Sequence, residues 1–153
     1  MDILTDGELN LATTLWLTQS DTIQTQINKS SIAAEVMIWT YASDDFYADP
    51  AGENVGEIVI NGIEWEVWLD QNWQDTSGKN DNNWVYLAFR TNQPLMLIKF
   101  DAAQMLRHGI AQKFIPSDLY IADIQLGTEI MSGTGQVWLN HYSVDVISVN
   151  DSL

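Results

Sequence analysis

Two glutamates stand in surroundings that could do chemistry. Glu35 lies in Ala34-Glu35-Val36-Met37-Ile38-Trp39, and Glu129 in Leu126-Gly127-Thr128-Glu129-Ile130-Met131-Ser132-Gly133-Thr134-Gly135. Read as a strand, the first run puts Glu35, Met37 and Trp39 on one face and Val36, Ile38 and Thr40 on the other. The second set continues Ile32 into an aliphatic face, as a sheet packed on a partner layer requires. The first sets a carboxyl group beside a thioether and an indole, a poor choice for an open solvent face and a suitable wall for a cleft. Glu129 ends a strand between Gly127 and the Gly133/Gly135 turn, where glycines permit close approach of a ligand or another backbone. Cleavage of a glycosidic bond needs two such carboxyl groups, one ionised and one held protonated, flanking the bond. Taken singly, either glutamate is as well read as a solvated strand residue, so the pair matters only if folding brings the two together.

The elements that must position them follow mostly from a period of two broken by turn residues. Strands are expected at Leu9–Thr18, Ile32–Tyr41, Trp84–Thr91, Leu95–Phe100, Leu119–Gly127 and Gln136–Val149. Asn61-Gly62 between the alternating runs Glu57–Ile60 and Ile63–Leu69 is a strong hairpin signal. Residues 19–31, the acidic stretch Ala42–Asn54 and the Asn-rich stretch Gln71–Asn83 read as loops. A single helix is expected from Asp101, a good N-cap, to about His108, with Ala102, Met105 and Leu106 on one side. Many strands and one short helix imply an all-β sandwich or jelly roll.

The 153 residues suit one domain with a substantial core, and 46% of them are hydrophobic, unlike a disordered segment. Seven Trp and five Tyr against four Phe favour rings with an apolar face and a polar edge, suited to gripping sugar rings. A net charge of −15 repels phosphate backbones and anionic membranes, which argues against nucleic acid and membrane partners. With no Cys, disulfides, thiolate metal sites and Cys nucleophiles are excluded. The start, MDILTDGELNL, lacks the basic and apolar regions of a signal peptide.

The motifs resemble glycoside hydrolase family 12, the small jelly-roll endoglucanases and xyloglucanases. Glu35-Val36-Met37-Ile38-Trp39 is similar to the family's nucleophile strand, and Gly127-Thr128-Glu129 with Gly133 to its acid/base segment. Between them come Pro50-x-Gly52, a hairpin ending in Gly62-x-x-Trp65, a Trp84-Val85-Tyr86-x-x-Phe89 strand and the helix, in the family's order. The similarity runs from about Leu9 to Val146. It implies a concanavalin-like jelly-roll β-sandwich with one short helix, a single catalytic domain over residues 1–153. It also implies a retaining endo-β-1,4-glucanase with Glu35 as nucleophile and Glu129 as general acid/base, their carboxyl groups about 5–5.5 Å apart. Met37 and Trp39 match residues lining the cleft. No metal or organic cofactor is implied; a monomer acting outside the cell on cellulose, xyloglucan or mixed-linkage glucan is. Two departures stand out. Thr14 falls where members commonly carry an acidic neighbour of the nucleophile, and its hydroxyl could donate to Glu35. The chain also begins late, since full members have further strands first. These departures support the alternative of a non-catalytic β-glucan-binding protein on the same scaffold.

Other residues carry weaker signals. Trp65 and Trp68 are oddly spaced, so one of them belongs to the core. Trp73 and Trp84 bracket the polar loop as candidate sugar platforms, whereas Trp16 and Trp138 sit in strand patterns that favour the core. His141 could line the cleft from a late strand. His108 and His141 lack the spacing of metal ligands, and no nucleophile elbow accompanies Ser143. Asp44, Asp45 and Asp49, and Asp81 among Asn80, Asn82 and Asn83, are oxygen-rich loops without calcium-binding spacing.

Overall fold

A computed structural model describes residues 2–21, 31–43, 49–74, 82–93 and 99–147. Eight strands and one helix follow in the order β1 (Asp2–Thr5), β2 (Asn10–Thr18), β3 (Ile32–Ala42), β4 (Glu53–Ile60), β5 (Ile63–Gln74), β6 (Asn83–Thr91), α1 (Ala102–Ala111), β7 (Tyr120–Gly127) and β8 (Gly135–Trp138). Six strands form one sheet in the order β4-β5-β6-β3-β2-β7, and β1 pairs with β8 in a second, two-stranded sheet. The pairings are antiparallel except β3 against β6, which run parallel. This is a jelly-roll β-sandwich with one short helix.

Period-two alternation divides the large sheet into two faces. On one, Leu15, Leu17, Val36, Ile38, Trp65, Val67, Leu87 and Phe89 form the main core with Met105 of α1 and Ile115. Burying each large side chain there contributes roughly 1.5–3 kcal/mol. Asp101 caps α1 by accepting from the Gln104 backbone N–H at 3.2 Å. Trp65 is fully buried and Trp68 faces the other way, as their odd spacing requires. On the opposite face Ala12, Met37, Trp39, Tyr86 and Ala88 form a second cluster, joined by Trp68 and Trp73. The sheet is therefore apolar on both sides, and the second side bears the glutamates.

The Asn61-Gly62 turn takes positive φ at both residues, 53° and 80°, which matches the right-handed twist of the flanking strands. Other expectations need correction. The strand expected at Gln136–Val149 is hydrogen-bonded only as β8; residues 139–147 alternate suitably, with Tyr142, Val144 and Val146 exposed, but find no ladder partner among the described residues. β5 runs on to Gln74, into the stretch read as a loop, and β1 was not anticipated. Most of the strand expected at Leu95–Phe100 lies outside the described residues, as do Asp44, Asp45, Asn80 and Asp81. Trp138 is 48% exposed rather than in the core, because β8 is part of a two-stranded sheet with little to pack against.

Candidate active site

The cleft face of β2 carries Asn10, Ala12, Thr14 and Trp16, and that of β3 carries Glu35, Met37 and Trp39. Register sets Trp16 opposite Glu35 and Thr14 opposite Met37. On its other side β2 pairs with β7, whose last residue, Gly127, lies opposite Ala12. The chain then continues antiparallel alongside the same edge, with an isolated bridge between Leu9 and Ile130, which places Glu129 beside the start of β2. A cleft of about 510 Å³ results, bordered by Glu35, Thr14, Met37, Asn10 and Glu129 along with residues 125–128. Residues 35 and 129, 94 positions apart in the chain, thus share one groove with a single strand between them.

Their surroundings differ. Glu35 is 8% exposed, and Oε2 accepts a hydrogen bond from the Trp84 indole N–H at 3.0 Å. Burial pushes its carboxyl group up to about 7; the Trp84 hydrogen bond acts against that rise, and the negative charge of Glu129 adds to it. Glu129 is exposed to the cleft and held by Asn10, which is fully buried. The Asn10 side-chain amide donates to Glu129 Oε2, and the Glu129 backbone N–H donates to Asn10 Oδ1 at 2.9 Å. The Asn10 backbone N–H donates in turn to the Glu129 carbonyl at 3.1 Å. Beneath the groove the Tyr86 hydroxyl donates to the Met37 sulfur at 3.3 Å. Burial, with the charges of Glu35 and Glu129, drives the Tyr86 phenol well above its ordinary range, so it stays neutral.

Among the residues singled out from sequence, Glu35, Glu129, Met37 and Thr14 border the cleft. Thr14 does not make the hydrogen bond to Glu35 that its position suggested; the donor is Trp84. Trp84 is accordingly not an open platform. It is 8% exposed and meets Trp16 edge-on, ring centroids 5.8 Å apart. Trp39 is 3% exposed and lies in the apolar cluster below the groove rather than at its surface. Trp73 is half-buried, its ring 5.7 Å from that of Tyr86. His141 lies exposed after β8 and is not among the residues bordering the cleft. Trp16, read as core, is half-buried on the cleft face and donates to Gln125 Oε1 at 3.3 Å. Asn10, Trp16 and Gln125 are the site residues that sequence reasoning missed. A usable signal existed for Trp16, because it lies two residues from Thr14 and so shares its face. Among the described residues no group of three His, Cys, Asp or Glu is arranged to hold a metal ion. Among the described residues no helix is long and apolar enough to cross a membrane.

Comparison with known proteins places this geometry. Endoglucanase S of Pectobacterium parmentieri is 26% identical over 144 residues, spanning 92% of this chain and 50% of that protein. The protein named "Probable xyloglucan-specific endo-beta-1,4-glucanase A" of Aspergillus clavatus is 28% identical over 116 residues, 73% of this chain and 44% of that protein. The native family 12 xyloglucanase of Bacillus licheniformis superposes with a TM-score of 0.74 at 22% identity, over 88% of this chain and 54% of its own, a likeness of fold. The chain thus spans about half the length of the relatives it matches. Residues 4–147 match the family model described as Glycosyl hydrolase family 12, and the chain belongs to that family.

Proposed function

We propose that the protein is a retaining endo-β-1,4-glucanase whose nucleophile is Glu35 and whose general acid/base is Glu129. The observation that carries this reading is that both glutamates border one cleft; the roles are those of the family segments that theirs resemble. A β-glucan lying along the groove would have its scissile linkage between them. Glu129 gives its proton to the departing glycosidic oxygen while ionised Glu35 attacks the anomeric carbon, forming a covalent glycosyl-enzyme. Glu129, now a base, takes a proton from water, which attacks the same carbon and frees Glu35. Two inversions retain the configuration, a course that requires carboxyl groups about 5–5.5 Å apart.

The endoglucanase and xyloglucanase names of the relatives support a β-glucan substrate, and half-buried Trp16 and Trp73 on the cleft face leave part of their rings open to a sugar. A polymer too large to enter a cell places the enzyme outside it, acting as a monomer. The test is release of reducing ends from soluble cellulose, xyloglucan and mixed-linkage glucan, with NMR of the first-formed anomer. Wild-type protein should release the β-anomer first, and Glu35→Ala should release nothing while melting as a folded protein. Undiminished turnover by Glu35→Ala would remove the assignment. Glucan binding without product would favour the non-catalytic reading.

A further inference from the structure

The groups around Glu35 are unequal in one respect. Among the described residues, the hydrogen bond on its carboxyl group comes from Trp84, and it falls on Oε2. An indole N–H donates and cannot accept. It carries no charge, and it favours whichever form of its partner is the better acceptor. The ring is held by more than its own packing. Trp84 meets Trp16 nearly perpendicularly, with an interplanar angle of 75°, and Trp16 lies directly opposite Glu35 in the β2–β3 register. The N–H of Trp16 is itself spent on Gln125, whose side-chain amide donates to Asp123 Oδ2 at 2.7 Å. The orientation of Trp84 is thereby tied to three strands, β6, β2 and β7. An aromatic residue serving as a sugar platform would present its face to the groove; Trp84 is almost wholly buried and turns its N–H on the carboxyl group.

We propose that Trp84 is a positioning residue for the nucleophile: its N–H fixes Oε2 of Glu35 and steadies the carboxylate, leaving Oε1 to attack the anomeric carbon. The role rests on the hydrolytic reading above. The other titratable groups facing Glu35 are Glu129 across β2 and Tyr86 on β6, with Asp123 farther off on β7 behind Gln125; Thr14, Trp16 and Met37 are neutral. Glu129 and Asp123 are acidic, and Tyr86 stays un-ionised, so among these groups Trp84 is the one that favours charge on Glu35. It does so against the burial that disfavours it.

Trp84→Phe keeps the ring that packs on Trp16 and removes the N–H. Its kcat should fall roughly tenfold to a hundredfold, as misplacement of a reacting group does, with KM changed less than about threefold. The acidic limb of its pH–rate profile should move up by about one pH unit. Trp138→Phe removes an exposed indole that does not border the cleft and should leave that limb in place. A Trp84→Phe enzyme with the wild-type limb, or with KM alone raised, would make Trp84 packing or a platform and overturn the proposal. The contact is also read without turnover, by NMR of the indole N–H groups in wild-type protein and in Glu35→Gln. One indole resonance should titrate in wild type and lose that titration in Glu35→Gln. Titration of this kind in a wild-type protein that releases no sugar would refute the hydrolytic reading and keep the contact. Its absence would refute the contact even in an active enzyme, and even if Trp84→Phe failed to fold.

Discussion

Asn10 and Glu129 grip each other from both ends of the side chain. The Asn10 amide donates to the Glu129 carboxylate, and its oxygen receives the backbone N–H of the same residue at 2.9 Å. Asn10 is fully buried, so its own amide has no bulk water to turn to, whereas the Glu129 carboxylate is open to the cleft. Asn10→Ala leaves the Glu129 N–H without its acceptor and frees the carboxyl group to swing. A loss of about 1–3 kcal/mol in stability is expected, read by urea denaturation. The proposed hydrolysis should fall by roughly a hundredfold, since small displacements of a reacting group cost that much. Wild-type activity in a folded Asn10→Ala protein would show that the clasp serves the fold alone.

The raised Glu35 carboxyl group makes stability depend on pH in a definite direction. Its ordinary value of 4.5 rises to about 7 in the folded protein, chiefly through burial, so the fold prefers the proton. That contribution is fully present below the ordinary value and is lost as pH climbs through about 7. Glu35→Gln imitates the protonated form at every pH. Relative to wild type it should gain up to about 3 kcal/mol between about pH 4 and about pH 8. Parallel urea curves at the two pH values measure the difference directly, and a constant difference would contradict the burial argument.

The same group should shape the rate. A nucleophile must be ionised to attack, so kcat/KM of the free enzyme should rise along an acidic limb with a midpoint near 7. Initial rates on soluble cellulose across the pH range locate the limb. A limb in the ordinary carboxylate range would mean that Glu35 is ionised more readily than its burial implies.

How much of this could be read from the chain depends on distance along it. The face shared by Glu35, Met37 and Trp39 is a matter of neighbours two apart, and alternation states it outright. The Asn61-Gly62 hairpin and the Asp101 cap are equally local. The resemblance to family 12 covered residues 9–146, and the family model matches 4–147. Asn10 left no such trace: its partner is 119 positions away, and a lone Asn at the start of a strand looks like any turn residue. For Trp84 the sequence supplies an aromatic ring but not the direction of its N–H, which depends on parallel pairing of β3 with β6. Residues 139–147 mislead for a different reason. Their alternation is real, but a strand is defined by its partner, and a pattern in one segment cannot supply the ladder.

Arg90 joins parts of the cleft face that alternation alone would leave independent. Its guanidinium bonds Glu66 on β5 at 2.8 Å and Asp49, which lies ahead of β4, at 2.7 Å, and lies 5.2 Å from the Trp68 ring centroid. Arg90→Lys keeps the charge but loses the planar fork, so it should not restore the network. Both Arg90→Lys and Arg90→Met should lower stability, the latter by about 1–3 kcal/mol because half-buried Glu66 loses its charged donor and keeps the neutral Trp68 N–H. Thermal melts of the two variants decide whether the fork or the charge matters.

Gly127 offers the most direct test of the groove itself. It borders the cleft, and a Cβ built on it would meet nothing within 4 Å. It also lies at the end of a strand, where a β-branched residue is well tolerated. Gly127→Val should therefore fold with stability within about 0.5 kcal/mol of wild type. Its side chain would add bulk to the cleft that Glu35 and Glu129 border, where the proposed substrate has to pass. Glucan binding and turnover should fall at least tenfold together, measured by calorimetry with a cello-oligosaccharide and by reducing-end release. If Gly127→Val binds and cleaves as wild type does, the substrate does not run through this groove, and the two glutamates border it for some other reason.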